Sequence, residues 1–293
     1  MAALEERDGV RLDALARMRT RCLDEIKDAE IGDGTLTGPR GFLLLILLKA
    51  LSALDSIRIL LEHAYAEEAF GLTRTLYDLE VDSLLLKSGD TERLSLYSEF
   101  ERFELARFGG MGVAAGLLPE TDEREQAIAT RIEDLATALV GAGREPPDNF
   151  NELSLFDAAA EFARLRFGQK HPTSWRPSRK WDDILDEIAP ALIRLLEPEL
   201  ETSDPDRFAA LVQARKTEHW FTWPLSSAVL HGSPRSVAVR YPDFRVAGVP
   251  GEVARTAAVA AAHFARIHHI AFVVLDVGFD AETWNKDLRA TRP

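Results

Sequence analysis

One cysteine, Cys22, among 293 residues leaves no internal disulfide and no cysteine pair for a zinc knuckle. Positive charge is scarce as well: 35 Lys and Arg stand against 48 Asp and Glu, a formal net charge of −13. A chain this acidic lacks the broad basic surface that non-specific binding to nucleic acid or to an anionic membrane requires, and leaves room only for a local basic site. The strongly apolar run Phe42–Leu48 is only seven residues long before Lys49, too short to span a bilayer and suited to a buried helix. The opening Met-Ala-Ala-Leu-Glu-Glu-Arg-Asp is charged, unlike a signal peptide. A cytoplasmic protein without membrane contact is expected.

Several catalytic signatures are missing too. There is no Gly-x-x-x-x-Gly-Lys, and no Gly-x-Gly-x-x-Gly follows a strand, so no phosphate loop is expected. Gly109–Gly116 is glycine-rich but follows a helical pattern, and reads as a turn. Gly-x-Ser-x-Gly is absent, which removes the hydrolase nucleophile elbow. Glu-x-x-His and His-Glu-x-x-His are also absent, and His263 and His268 stand five apart, a poor chelating pair. Neither a metal nor another cofactor is expected.

What is present is helical periodicity almost throughout. Helices are expected over 4–29, 41–63, 66–88, 91–108, 121–141, 154–167, 180–200, 205–231 and 250–276. Pro190 and Pro224 should kink or break two of them. Loops are expected at 141–149 and 168–179. The two β-like stretches 236–241 and 244–249, joined at Pro242-Asp243, suggest a small hairpin near 236–249. The expected fold class is therefore all-α, a multi-helix bundle with that one hairpin. It would form a single domain over 1–293, with 110–180 as a peripheral helical subdomain and helices 41–63, 66–88, 205–231 and 250–276 at its apolar centre.

Two helices carry polar stripes. On helix 66–88, Glu67, Gly71, Arg74 and Asp78 share a face that continues as Val81 and Leu85, so the charges should be partly buried. Gly71 costs about 0.5–1 kcal/mol relative to Ala inside a helix, a cost that close approach of a partner or ligand would explain. An ordinary i,i+4 Arg–Asp pair is the alternative. On helix 205–231 one stripe is Arg215, His219, Thr222 and Ser226, and another is Lys216, Trp220, Ser227 and His231, with Trp223 beside it. Ser227 and His231 stand four apart and can touch, but no carboxylate in that helix completes a triad, so Ser227 reads as a positioning group. His231, followed by Gly-Ser-Pro, sits at the expected helix end. A cap favoured by the helix dipole and a placed proton-transfer group both fit that position. Trp175, Trp181, Trp220, Phe221 and Trp223 could line a pocket or fill the core.

Two segments together carry a family likeness: Leu72-Thr-Arg74-Thr-Leu-Tyr-Asp78-Leu after Glu67-Glu-Ala-Phe, and Ser227-Ala-Val-Leu-His231-Gly-Ser-Pro. They resemble an uncharacterised family of bacterial helical proteins that pairs an Arg-x-x-x-Glu/Asp helix with a late Ser-x-x-x-His-Gly-Ser element. Trp181-Asp-Asp-Ile-Leu-Asp-Glu-Ile fits the middle of that pattern, and the likeness spans roughly 45–240. A more distant likeness is to the HEPN superfamily of helical bundles, whose members often act as dimeric, metal-independent ribonucleases in toxin and anti-phage systems. Its Arg-to-His motif has one formal match, Arg58-Ile-Leu-Leu-Glu-His63, with Ile59 where that family favours a polar residue.

Two functions follow as expectations. In the first, the chain is a homodimeric, metal-independent ribonuclease or nucleotide-handling enzyme. His231 would be its general acid/base, Arg74 would hold phosphate, Asp78 and Glu67 would orient the arginine, and Ser227, His219, Arg215 and Trp220 would line the binding site. In the second, the chain is a non-catalytic helical module for a protein partner or small ligand, with Arg74–Asp78 a structural pair and His231 a cap.

Overall fold

The computed structural model describes residues 6–29, 38–63, 65–117, 121–170, 172, 174–176, 180–230 and 252–292. At residues 6, 221, 224, 225, 227–230 and 252 it describes the backbone only. The helices are α1 (Glu6–Asp28), α2 (Gly38–Glu62), α3 (Ala66–Leu86), α4 (Thr91–Ala114), α5 (Asp122–Gly141), α6 (Leu155–Phe167), α7 (Trp181–Leu196), α8 (Leu200–Ser203), α9 (Pro205–Leu230), α10 (Glu252–Leu275) and α11 (Ala281–Ala290), with a 3-10 turn at Phe150–Glu152. The fold is all-α. The β-hairpin expected at 236–249 is corrected: the described residues contain no strand, and 236–249 lie outside them. An alternating β-branched pattern that short is a weak local preference beside the helical periodicity around it.

The chain divides into two compact units, Met1–Gly89 with Asp182–Pro293, and Asp90–Trp181. In the first unit α3 is the hub, packed by α2, α9 and α10, while α1 covers α2, α10 and α11. Every residue from Leu79 to Leu86 is buried, so α3 has no solvent face there. That placement forces its polar members, Glu80 among them, to find partners inside the protein. Helix α10 is long and apolar enough by length and composition to cross a membrane, yet 56% of its apolar window is buried within the fold. Its Phe264, Ile267, Ile270 and Phe272 are fully buried.

The second unit joins α4, α5 and α6 around Phe103, Ile132, Leu135, Leu139, Phe150 and Phe162. Asp90, Thr121 and Ser154 cap α4, α5 and α6 by accepting from the amides of Arg93, Arg124 and Asp157. The glycine-rich stretch expected as a turn is helical as far as Ala114. Its reason is tertiary: a Cβ on Gly110 would lie 2.6 Å from the backbone nitrogen of Phe156, so glycine lets α4 and α6 meet.

The two internal prolines do not end their helices: α7 runs through Pro190 and α9 through Pro224. Helix α11 has no counterpart among the expected elements. Its start is marked by Asp280, whose carboxylate accepts from the amides of Glu282 and Thr283 at 3.1 Å each.

Candidate functional site

Three helices of the first unit each turn two polar residues, one turn apart, into the same interior space. Helix α3 supplies Tyr77 and Glu80, α9 supplies Arg215 and Glu218, and α10 supplies His263 and Arg266. Glu80 is the centre, its side chain fully buried. Its Oε1 accepts from Arg215 Nη2 at 2.8 Å and its Oε2 accepts from His263 Nδ1 at 2.6 Å. The second bond requires a proton on Nδ1, because a carboxylate can only accept. Nε2 of His263 is buried and makes no hydrogen bond among the described residues, with Glu218 Oε1 4.0 Å away.

Glu218 forms the outer half. Arg266 Nη1 donates to its two oxygens at 2.9 and 3.1 Å, and Arg215 Nη1 lies 3.0 Å from Oε2. The same Arg266 nitrogen lies 3.6 Å from Glu80. Tyr77 closes the inner side: its hydroxyl is 2.8 Å from His219 Nδ1, and the Arg215 guanidinium sits 5.0 Å from its ring centre.

Burial pushes the Glu80 carboxyl upward, but Arg215, Arg266 and the His263 bond together outweigh it and hold it below the usual carboxylate range. Glu218 is also driven down, burial opposing and Arg266, Arg215 and His263 prevailing. Burial alone would lower Arg266, yet Glu80 and Glu218 raise it, so its charge is permanent. Two carboxylates thus balance two guanidiniums.

The network reaches solvent on one side, where the Arg266 side chain is 24% exposed and Glu218 29%. Arg266 there forms part of the wall of a pocket of about 600 Å³ along α10 and α11, shared with Ala262, Ala265, His269, Phe279 and Asn285. In the same wall His268 lies between the rings of Phe272 and Trp284, at 4.1 and 4.0 Å, and its Nε2 is 2.6 Å from Glu25 Oε2. Trp284 Nε1 donates to the other Glu25 oxygen at 3.1 Å. Burial holds His268 below its usual value, more strongly than Glu25 raises it.

The residues expected from sequence fall into separate places. Arg215 is in the network, and His219 joins it through Tyr77. Trp220 is 53% exposed and meets His219 edge-on at 4.9 Å. Arg74 and Asp78 form an i,i+4 pair with Nε–Oδ2 at 3.5 Å, both half-buried, and the Arg74 guanidinium stands 4.7 Å over the Trp223 ring. Glu67 is half-buried on the same helix, and Gly71 is buried. The Ser227 side chain and all of His231 lie outside the described residues, so the proposed meeting of Arg74 and His231 does too. Arg58 is engaged by Asp55 and Glu62, while His63 bonds the Ile59 carbonyl at 2.9 Å, so the two ends of the formal HEPN match serve different partners. Among the described residues no cluster of His, Cys, Asp or Glu could hold a metal ion.

Sequence reasoning missed Glu80, Glu218 and Arg266, and weighed His263 only as a metal ligand. A signal was there: Glu80 stands between Leu79 and Val81 on an otherwise apolar part of the helix, and Arg215/Glu218 and His263/Arg266 repeat the i,i+3 spacing of Tyr77/Glu80.

Residues 41–171 match a family of unknown function (DUF5677), fewer than half of the chain. No curated protein and no solved structure matches the chain. The family match takes in Tyr77 and Glu80, while the four network residues of α9 and α10 lie beyond it.

Proposed function

We propose that this chain is a non-catalytic helical module that binds a small anion, with Arg266 as the recognising charge. One observation carries the reading. Arg266 spends Nη1 on Glu218, whereas its Nε and Nη2 have no partner among the described residues, and its side chain lines the pocket. The buried network then acts as a mount. Glu80 and Glu218 hold the guanidinium at the pocket wall, which removes much of the ordering cost of binding. The same pairing argues against proton transfer by these carboxylates. A general acid or base works best with a pKa near the operating pH, and both are held well below it. Isothermal titration of the purified protein with acetate, benzoate and inorganic phosphate tests the reading. Saturable heat with any of the three supports it, and no binding of any of them at millimolar concentration overturns it.

A second reading is a metal-independent ribonuclease of a bacterial defence or toxin system, cytoplasmic and homodimeric, with His231 as general acid/base and Arg74 on the phosphate. The stacking of Arg74 on Trp223, eight residues before His231 in the chain, favours it. RNA cleavage in EDTA that is lost in His231→Ala would support this reading. No cleavage by the wild type, or equal cleavage by the variant, would sink it.

A further inference from the structure

We infer that the pocket beside Arg266 takes a monocarboxylate with a flat apolar body, an aromatic acid, and not phosphate or a bare small anion. The inference rests on the anion-binding reading above and adds the ligand's class.

The first argument is the shape of the unspent edge. Nε–H and Nη2–H of a guanidinium lie in one plane and point the same way, a fork that matches the two oxygens of a carboxylate. On Arg266 that edge is free among the described residues because Nη1 alone serves Glu218.

The second argument is charge. Glu218 lies 2.9 Å and Glu80 3.6 Å from the same guanidinium, so two negative charges already face it from behind. A dianion would add its second charge close to both, and Coulomb repulsion at that range is felt strongly in a partly buried site. Arg215 balances one of those two carboxylates and Arg292 adds a cation to the pocket wall, so a single negative charge on the fork is accommodated with less repulsion than two.

The third argument is the pocket floor. Ala258, Ala262 and Ala265 succeed one another along one face of α10, all partly exposed. Their methyl groups leave a smooth apolar bed one helix turn from the fork. Phe279 and Leu288 contribute apolar wall beside it. A volume of about 600 Å³ lies within the range of about 300–1,000 Å³ common for small-molecule sites. Acetate would fill little of it, whereas a planar ring carried by the carboxylate would cover the alanine bed.

The test is isothermal titration of the full chain near neutral pH with benzoate, acetate and inorganic phosphate, for the wild type, Ala262→Leu and Arg266→Lys. Benzoate should bind at least about tenfold more tightly than either acetate or phosphate. Arg266→Lys, which keeps the charge but loses the fork, should weaken benzoate by about tenfold or more. Ala262→Leu fills the bed without touching the ion network. It should weaken benzoate by at least about tenfold with the melting temperature unchanged, which keeps the test sound if Arg266→Lys fails to fold. Acetate or phosphate binding as tightly as benzoate overturns the ligand class and leaves the anion reading standing. Benzoate binding that Ala262→Leu does not alter overturns the assignment of this pocket. No binding of any of the three overturns both readings.

Discussion

Replacing Glu80 by Gln should unfold the first unit more readily than any surface substitution. The side chain is fully buried and accepts two charge-assisted hydrogen bonds, from Arg215 at 2.8 Å and His263 at 2.6 Å. A glutamine can accept one of them, but its NH2 group then faces the other donor. Arg215, 2% exposed, is left with Glu218 as its remaining carboxylate. Removing one partner of a buried ion pair costs about 3–5 kcal/mol. In a unit of this size each kcal/mol moves the melting temperature by about 2–4 °C, so a fall of roughly 6–20 °C is expected. Urea denaturation followed by circular dichroism gives the free energy directly. Glu201→Gln, in the exposed pair with Arg194, should leave the midpoint where it was and serves as the control. Glu80→Met with Arg215→Met should be closer to the wild type than Glu80→Met alone, since an unpaired buried charge costs more than a paired absence. The pH dependence has a definite sign. A carboxyl lowered by folding contributes stability that is present above its ordinary value of 4.5 and lost as pH falls through the folded value. Wild-type stability should therefore drop below pH 4.5 more steeply than that of Glu80→Gln. A Glu80→Gln cost under about 1 kcal/mol, the scale of an exposed pair, would refute the placement of this carboxylate at the centre of a dry network.

His268 is held below its ordinary 6.5 by burial, so the unfolded chain takes up a proton that the folded one resists, and stability should be lost as pH falls from 6.5. His268→Gln should shrink that loss in urea midpoints measured across pH, without abolishing it, because burial lowers His269 in the same way. Two glycines should respond with opposite signs: Gly110→Ala drives a Cβ against the Phe156 backbone and should cost about 1–3 kcal/mol. Gly141→Ala meets nothing within 4 Å and should gain about 0.4–1 kcal/mol, both read from denaturation midpoints. Burial and Glu25 raise the Cys22 thiol, so its reaction with a disulfide reagent should be slow in the native protein and accelerate sharply in urea.

Much of the helical layout was legible because the 3.6-residue period is local. The apolar faces of α2 and α3, the caps at Asp90, Thr121 and Ser154, and the shared face of Arg215 and His219 can all be read from neighbours within a few turns. One misreading has a tertiary cause: Gly109–Gly116 looked like a turn because its helical role depends on Phe156 of another helix. The final helix was missed although Asp280 marks its start.

By itself the sequence determined an acidic, all-helical chain with one thiol and a set of polar residues set into apolar faces. Which of those residues meet was decided only by the tertiary structure. Glu80 finds Arg215 at a separation of 135 residues and His263 at 183. No local period encodes contacts that distant. They follow from the burial of α3 on all sides, which leaves a carboxylate no water and so obliges two other helices to bring their charges to it.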